Sequence, residues 1–265
     1  MKKTLLALSI LLCSTTIFAH EFWLQPLRFW LQANQQNSIS IFVGEDYTGE
    51  YADGRKYKIF KLDHYSAKGK KDFKANVHDS DFSKIKASFR TKGNHLLAFN
   101  NSNKFIELES SRFNNYLVSE GLTNVQQMRM ATNDTSKPGR EFYQRCVKTL
   151  VKVGNKNDET YAINTGMKLE LIPLHNPYAV ADGASVTFKV LYENKPLKDA
   201  LVLVWNVVDD KPSHTKYISN DAGEITFKLT TKGRWMVSTV RMVPHDNPAE
   251  ADWQSYWGSY TFGYY

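Results

Sequence analysis

The chain has 265 residues, of which 42% are hydrophobic, 13% aromatic and 23% charged. This balance is typical of a globular protein and excludes a disordered, collagenous or fibrous chain. The formal net charge of +7 is a mild excess. Apart from a run between residues 68 and 74, the lysines are scattered along the chain, so the sequence predicts no nucleic-acid interface.

Residues 1–19 have the layout of a secretory signal peptide. Lys2 and Lys3 are followed by an apolar run over residues 5–12 and then by a small residue, Ala19. We therefore expect cleavage after Ala19 and export to the periplasm. The apolar run is too short for a permanent anchor, and no later stretch approaches the roughly 18 to 20 apolar residues that span a bilayer. The sequence thus predicts no transmembrane segment in the mature chain.

Cleavage at this bond makes His20 the first residue of the mature protein. An amino-terminal histidine offers two nitrogen ligands, its free amine and its imidazole, which together close a chelate ring on a divalent metal such as Cu(II), Ni(II) or Co(II). The amine has an ordinary pKa of about 7.7 to 8.0, so a metal displaces its proton near neutral pH. The position of His20 therefore predicts a metal ligand.

The rest of the chain is predicted to be mostly β-strand. Apolar and polar residues alternate in segments such as 38–43, as in strands that bury one face. In residues 147–153, apolar residues alternate with Lys148 and Lys152, which also favours a strand. One short helix is expected between residues 111 and 121, where apolar residues recur at helical spacing after a serine cap.

A polar break over residues 154–166 divides the chain. The segment that follows is a regular series of short predicted strands separated by turn signals, which is typical of an antiparallel sandwich. Residues 122–140 are polar and predict a loop. We expect an all-β protein with two immunoglobulin-like or transthyretin-like antiparallel sandwich domains, residues 20–166 and 167–265, and one short helix.

Several segments, in order along the chain, carry a resemblance to a known family. They are residues 19–26 (AHEFWLQP), 116–122, 140–143, 169–173, 233–235 and 253–257. Together they resemble the NikM-like family of exported bacterial proteins, a domain of unknown function linked by name to nickel and cobalt uptake. The resemblance implies a periplasmic all-β protein that binds a transition metal and assists its uptake, with a membrane permease or an outer-membrane receptor as partner. The chain departs from the named transporter subunits because no transmembrane helix follows its second domain.

The metal site needs ligands besides His20. No two of the other histidines have the spacing that places both on one face of a strand or helix, so the fold must assemble the site. His245, which is followed by Asp246, and His175, near the proposed domain junction, are the preferred candidates. Motifs of hydrolases and phosphate loops do not occur, so we expect no enzyme activity. Copper-dependent oxidative cleavage of polysaccharide, which also uses an amino-terminal histidine, is the enzymatic alternative.

The aromatic tail, residues 253–262, has two interpretations. Exposed tryptophans stack on sugar rings, so the tail supports an alternative function as a carbohydrate-binding or adhesion module with a surface aromatic patch and no metal. Aromatic and polar residues also alternate there well enough for a final core strand, which is the interpretation we favour.

Cys146 is the one cysteine expected in the mature chain, because Cys13 lies in the leader. No intramolecular disulfide and no multi-cysteine zinc site is therefore predicted. Cys146 lies in an apolar run, which predicts a buried, inert thiol rather than a nucleophile.

Overall fold

The computed structural model describes residues 21–265. The predicted signal peptide and the predicted ligand His20 lie outside the described residues. Within them, the chain forms eighteen strands and two α-helices, joined by turns and two short 3-10 helices. None of the helices in this part of the chain is long and apolar enough to cross a membrane.

The helices α1 (Ser110–Ser119) and α2 (Thr123–Ala131) separate two runs of nine strands. The strands before the helices are β1 (Glu21–Pro26), β2 (Trp30–Leu31), β3 (Gln36–Glu45), β4 (Thr48–Tyr51), β5 (Ile59–Ser66), β6 (Gly69–Asp72), β7 (Lys84–Ser88), β8 (Gly93–Asn101) and β9 (Lys104–Leu108). The strands after them are β10 (Gly139–Val153), β11 (Leu169–Pro173), β12 (Ser185–Tyr192), β13 (Lys195–Pro196), β14 (Leu201–Val208), β15 (Lys211–Ile218), β16 (Glu224–Lys228), β17 (Arg234–Pro244) and β18 (Trp253–Gly263).

The strands form three layers. A central ten-stranded sheet has the order β15-β14-β17-β18-β10-β8-β5-β6, and β2 and β9 also pair with β10. A four-stranded sheet of β1, β3, β4 and β7 covers one face, and a second one of β11, β12, β13 and β16 covers the other. Along β10, Val147 and Val151 belong to the core under the first small sheet, whereas Cys146 and Leu150 belong to the core under the second. The predicted all-β class is confirmed.

The central sheet takes strands from both sides of residue 166. Its longest strand, β10, pairs in parallel with β18, from Glu141 and Trp253 to Thr149 and Thr261. The two predicted sandwich domains therefore share one sheet. That residues 20–166 and 167–265 fold as separate units stays a prediction.

The helical region is larger than the single helix expected from the sequence. Helix α1 matches the predicted segment 111–121, but α2 occupies part of residues 122–140, where a loop was expected, so that expectation was wrong. Helix α2 buries only Val125 and Arg129. Two buried residues, one of them charged, make too weak an apolar stripe for periodicity to reveal a helix.

Cys146 is 2% exposed and lies in the core under the second small sheet, as expected. Burial raises the pKa of its thiol to about 12, so the reactive thiolate is scarce at neutral pH. We expect a thiol reagent to label the native protein at least about 100-fold more slowly than the urea-unfolded chain at pH 8. Labelling is followed by the absorbance of the chromophore that the reagent releases. Equal labelling rates in the native and the unfolded state would contradict this prediction.

Strand β1 lies flat on the central sheet and is fixed there by hydroxyl groups. Ser259 Oγ donates to the Phe22 carbonyl at 2.7 Å, and Thr261 Oγ1 donates to the Leu24 carbonyl at 2.6 Å. On its other side, β1 pairs with β3 from Glu21 onward. Glu21, the first described residue, is thereby held opposite Gly44 of β3 and is half-buried.

Candidate functional site

An acidic pocket opens beside Glu21. It has a volume of about 370 Å³ and lies between the start of β1, the β3–β4 turn, the end of α1 and the strands β14 and β15. Four of its lining residues carry carboxyl groups, and two carry basic groups. The carboxyl residues are Glu21, Glu45, Asp46 and Glu120, and the basic ones are His214 and Lys216.

The β3–β4 turn places two of these carboxylates at the rim. Asp46 and Tyr47 form a two-residue turn in which both have a φ of 53°, a left-handed conformation that is unfavourable for a bulky side chain. Tyr47 is nevertheless 1% exposed, packs edge-on against Trp23 at 5.2 Å and donates from its hydroxyl to the Trp235 carbonyl at 3.4 Å. Burial of this ring holds the turn, and with it the adjacent Glu45, against the pocket.

The end of α1 supplies Glu120. Gly121 has a φ of 65°, its N–H donates to the Val118 carbonyl, and the Leu122 N–H donates to the Leu117 carbonyl; this is the Schellman arrangement that ends a helix. A Cβ on Gly121 would lie 2.7 Å from the Leu201 side chain, so glycine is required. The carboxyl end of α1, which carries the negative end of the helix dipole, therefore borders the pocket through Ser119 and Glu120.

Burial makes two of the pocket carboxyls hold their protons near neutral pH. It raises the pKa of Glu21 to about 7, and the charges of Asp46 and Glu45 contribute to the rise. Burial likewise raises the pKa of Glu120 to about 8, with a contribution from Glu21. A bound cation would displace these protons and relieve the repulsion between the carboxylates.

Under the pocket lies a buried network built on Glu141. This residue is 2% exposed and accepts hydrogen bonds from Tyr116 Oη, at 3.2 Å, and from Ser255 Oγ. Burial raises its pKa to about 7. The Arg145 guanidinium lies 4.7 Å from the centre of the Trp257 ring, and its charge lowers the pKa of Glu141 as well as those of the two pocket glutamates. The positive charge of Arg145 therefore offsets part of the negative charge of these three glutamates.

The predicted ligands His245 and His175 do not lie together. The His245 N–H donates to the Asp252 carbonyl, beside the first residue of β18. His175 is two residues before Pro177, whose carbonyl accepts a hydrogen bond from Tyr264, just past the end of β18. An eleven-residue strand spans about 36 Å, so one metal cannot bind both, and neither lines the pocket beside Glu21.

No group of three or more histidine, cysteine, aspartate or glutamate side chains within residues 21–265 is arranged to hold a metal ion. The pocket thus contains suitable donor types without a complete ligand set of its own. His214 was missed at the sequence level because a single histidine in a polar strand gives no local signal of the pocket it faces.

The aromatic tail is core, in agreement with the interpretation favoured from its alternation. Trp253 and Trp257 are 8% and 5% exposed, and Tyr260 and Phe262 are fully buried. Trp257 contributes to the packing against α1, where its ring stacks on Tyr116 at 5.8 Å. These rings therefore offer no exposed surface for stacking on sugars.

Comparisons with known proteins show the family but no activity. No curated protein sequence matches the chain. Among solved structures, the chain is similar to the three N-terminal domains of the bacteriophage RB49 Highly Immunogenic Outer Capsid protein, at 10% identity over 91% of this chain and 59% of that one. The TM-score is 0.18, too low to support any conclusion. The model of the family described as a domain of unknown function, DUF4198, matches residues 17–242, and the chain therefore belongs to that family.

Proposed function

We propose that the mature protein binds one divalent transition metal, Ni(II), Co(II) or Cu(II), in the periplasm through the amine and imidazole of His20. The observation that carries the proposal is the position of Glu21. A peptide bond joins it to His20, and it lines a pocket that also contains Glu45, Asp46 and Glu120. The proposed amino-terminal chelate would thus adjoin, in sequence, a residue of a pocket that contains four carboxyl groups.

The chemistry of the pocket fits this role. Its own side chains do not form a three-ligand site, and the two nitrogens of His20 are the donors that such a site lacks. Carboxylate oxygens from the pocket would complete the coordination and neutralise the cation. Because amine, imidazole and carboxyl groups must all lose protons to bind, metal affinity should fall as the pH decreases from 8 to 5.

The predicted export signal and the resemblance to the NikM-like family favour a role in metal uptake. In this role the protein collects the ion outside the cytoplasm and delivers it to a membrane permease or receives it from an outer-membrane receptor. The protein itself needs no catalytic group for this role. A metal-loaded protein that passes its ion to a partner requires a site that is open on one side, as this pocket is.

The amino-terminal chelate can be tested by calorimetry on three forms of the mature protein. We expect His20→Ala, and a form with one glycine added before His20, to bind Cu(II) and Ni(II) on the order of 100-fold more weakly than the mature protein, since losing a direct ligand costs at least as much as losing an outer-shell partner. The added glycine keeps the imidazole but moves the free amine away from it.

Intact mass must first show that His20 is the first residue. The matched control is the double variant His175→Ala/His245→Ala, which should retain full affinity because both residues lie away from the pocket. Equal affinity of the glycine-extended and mature forms would refute the chelate. Failure of all three forms to bind any of these metals below the micromolar range would refute the metal function.

A further inference from the structure

Another cavity, of about 440 Å³, lies at the place where the pairing of β14 with β17 ends, at Val202 and Thr239. The start of α2 and the loop before β14 border this cavity, and β17 contributes Arg241 to its wall. Its volume is within the range of small-molecule sites. It shares no lining residue with the acidic pocket, so it is a separate site.

Arg241 is a half-buried arginine whose side chain has no polar partner. Its guanidinium lies 5.7 Å from the centre of the Tyr192 ring, a contact that restricts the group but satisfies none of its N–H donors in the guanidinium plane. Nε is buried and makes no hydrogen bond, and no ion pair of Arg241 is present within residues 21–265. Because unpaired buried donors are unfavourable, this side chain is well suited to bind an oxyanion.

The amino terminus of α2 brings two more donors to the cavity. The helix has nine residues and begins at Thr123, and the preceding residue, Leu122, has no side-chain oxygen that could cap it. In the described part of the chain, the backbone N–H groups of Thr123 and Asn124 donate to no acceptor. The Asn124 side chain donates from Nδ2 to the Met242 carbonyl at 3.1 Å. This hydrogen bond holds the start of the helix against β17.

The charges that line the cavity favour an anion. Lys198 Nζ lies 3.9 Å from Asp199 Oδ2 and 3.3 Å from Asp221 Oδ1, so the lysine offsets the carboxylate of Asp199 at the rim. The charge of Arg241 then leaves the lining residues with a positive excess. The positive end of the α2 dipole adds to this excess.

We infer that this cavity binds a small organic anion, whose carboxylate or phosphate group contacts the Arg241 guanidinium and the first N–H groups of α2. A guanidinium binds either group through two parallel hydrogen bonds, and the amino terminus of a helix binds either through its unpaired N–H groups. Two independent sets of unpaired donors therefore line one cavity. Neither set has a part in the proposed metal site.

Nuclear magnetic resonance of the isotope-labelled mature protein tests the site. The probes are inorganic phosphate and, in a separate titration, acetate. We expect at least one of these ions to shift the signals of the Thr123 and Asn124 amides and of the Arg241 Nε–H group until the shifts saturate. Sodium chloride at the same ionic strength measures the effect of screening alone. The ion that binds more tightly identifies the group that the cavity recognises.

Three variants separate the donors from the general effect of charge. Arg241→Gln should weaken binding of the preferred ion about 10- to 100-fold, because hydrogen bonds between charged groups are lost. Thr123→Pro removes one helix N–H at a position that suits proline and should weaken binding about 10-fold. The matched control is Arg112→Gln, an exposed position of α1 outside the cavity, which loses the same charge and should retain full affinity.

Three results would overturn the inference. The first is the absence of saturable shifts at Arg241 and at the start of α2 with both ions. The second is unchanged affinity in both Arg241→Gln and Thr123→Pro. The third is a loss of affinity in Arg112→Gln as large as that in Arg241→Gln, which would indicate attraction by net charge alone. The proposed metal function is tested separately by the calorimetry of the His20 variants.

Discussion

Replacing Lys148 by methionine is expected to lower the free energy of unfolding by about 3 to 5 kcal/mol, because it leaves the buried carboxylate of Glu170 without its counter-charge. The side chains of Lys148 and Glu170 are 1% and 0% exposed and form an ion pair. Lys148 Nζ also donates to the carbonyls of Leu171, at 3.1 Å, and Ile163, at 3.2 Å. Urea unfolding at pH 7, followed by tryptophan fluorescence, measures the change.

The partner residue provides the control. Glu170 Oε1 accepts hydrogen bonds from Thr165 Oγ1, at 2.6 Å, and from the Met167 N–H, at 3.0 Å. A glutamine in its place keeps an oxygen for these donors but carries no charge. The double variant Lys148→Met/Glu170→Gln should therefore recover part of the lost stability. Two results would contradict the assignment of the loss to an unpaired charge. One is a free energy of unfolding of Lys148→Met within about 1 kcal/mol of the wild type. The other is a double variant that is no more stable than Lys148→Met.

The alternation of lysines with apolar residues predicted the strand that contains Lys148. It did not predict that the face of the strand that carries the lysines is buried. In residues 147–153, Lys148 and Lys152 alternate with apolar residues, as they would on a strand with one solvent face. Both lysines are in fact 1% exposed, because the second small sheet and residues 154–166 cover that face. Lys152 donates to the Lys156 carbonyl and to Asn157. Periodicity reports which residues share a face, whereas coverage of that face depends on segments far away in the chain.

The pocket beside Glu21 was even less predictable from the sequence, because distant segments of the chain form it. Its groups come from β1, the β3–β4 turn, the end of α1 and β15, so that Glu21 and His214 are 193 positions apart in the chain. No local motif links them. The sequence did single out the neighbourhood of Glu21, because the predicted cleavage site made His20 conspicuous. It suggested His245 because Asp246 follows it in a predicted loop, and His175 because it lies near the proposed domain junction, and neither feature indicates which segments the fold brings together.

A second pair of buried residues is expected to make the protein labile to acid. His64 and His95 are 8% and 2% exposed, and their ring nitrogens Nε2 and Nδ1 lie 2.8 Å apart. His95 Nε2 lies 2.9 Å from the Thr91 carbonyl. A carbonyl only accepts, so His95 Nε2 carries its hydrogen, Nδ1 accepts, and His64 donates. This chain of hydrogen bonds requires the His95 imidazole to be neutral.

Protonation of either ring is unfavourable. A proton on His95 Nδ1 would place two N–H groups against each other. A charge on His64 would be buried between aromatic rings, Phe73 at 5.3 Å and Phe89 at 5.0 Å. Burial, and then the charges of His95 and Lys71, lower the pKa of His64 to about 3. Burial also lowers the pKa of His95, although the nearby Asp158 opposes this.

The sign of the effect follows from proton binding. Below the unfolded pKa of about 6.5, the unfolded chain binds protons that the folded pair excludes, so stability is complete above pH 6.5 and is lost as the pH falls toward 3. Between pH 7 and pH 5, one such histidine removes about 2 kcal/mol, and the pair up to twice that. Urea unfolding at both pH values, for the wild type and for His64→Gln/His95→Gln, should show this difference between the two proteins.

Comparison with the double variant is essential, because other groups have the opposite dependence. The raised pKa values of Glu21, Glu120 and Glu141 mean that the folded state binds more protons than the unfolded chain between about pH 8 and pH 4.5, which stabilises it as the pH falls. Those carboxyls are common to both proteins and cancel in the difference. The glutamine amides can repeat the donor and acceptor pattern without titrating. If the wild type and the double variant lose equal stability between pH 7 and pH 5, the histidine pair does not control acid lability.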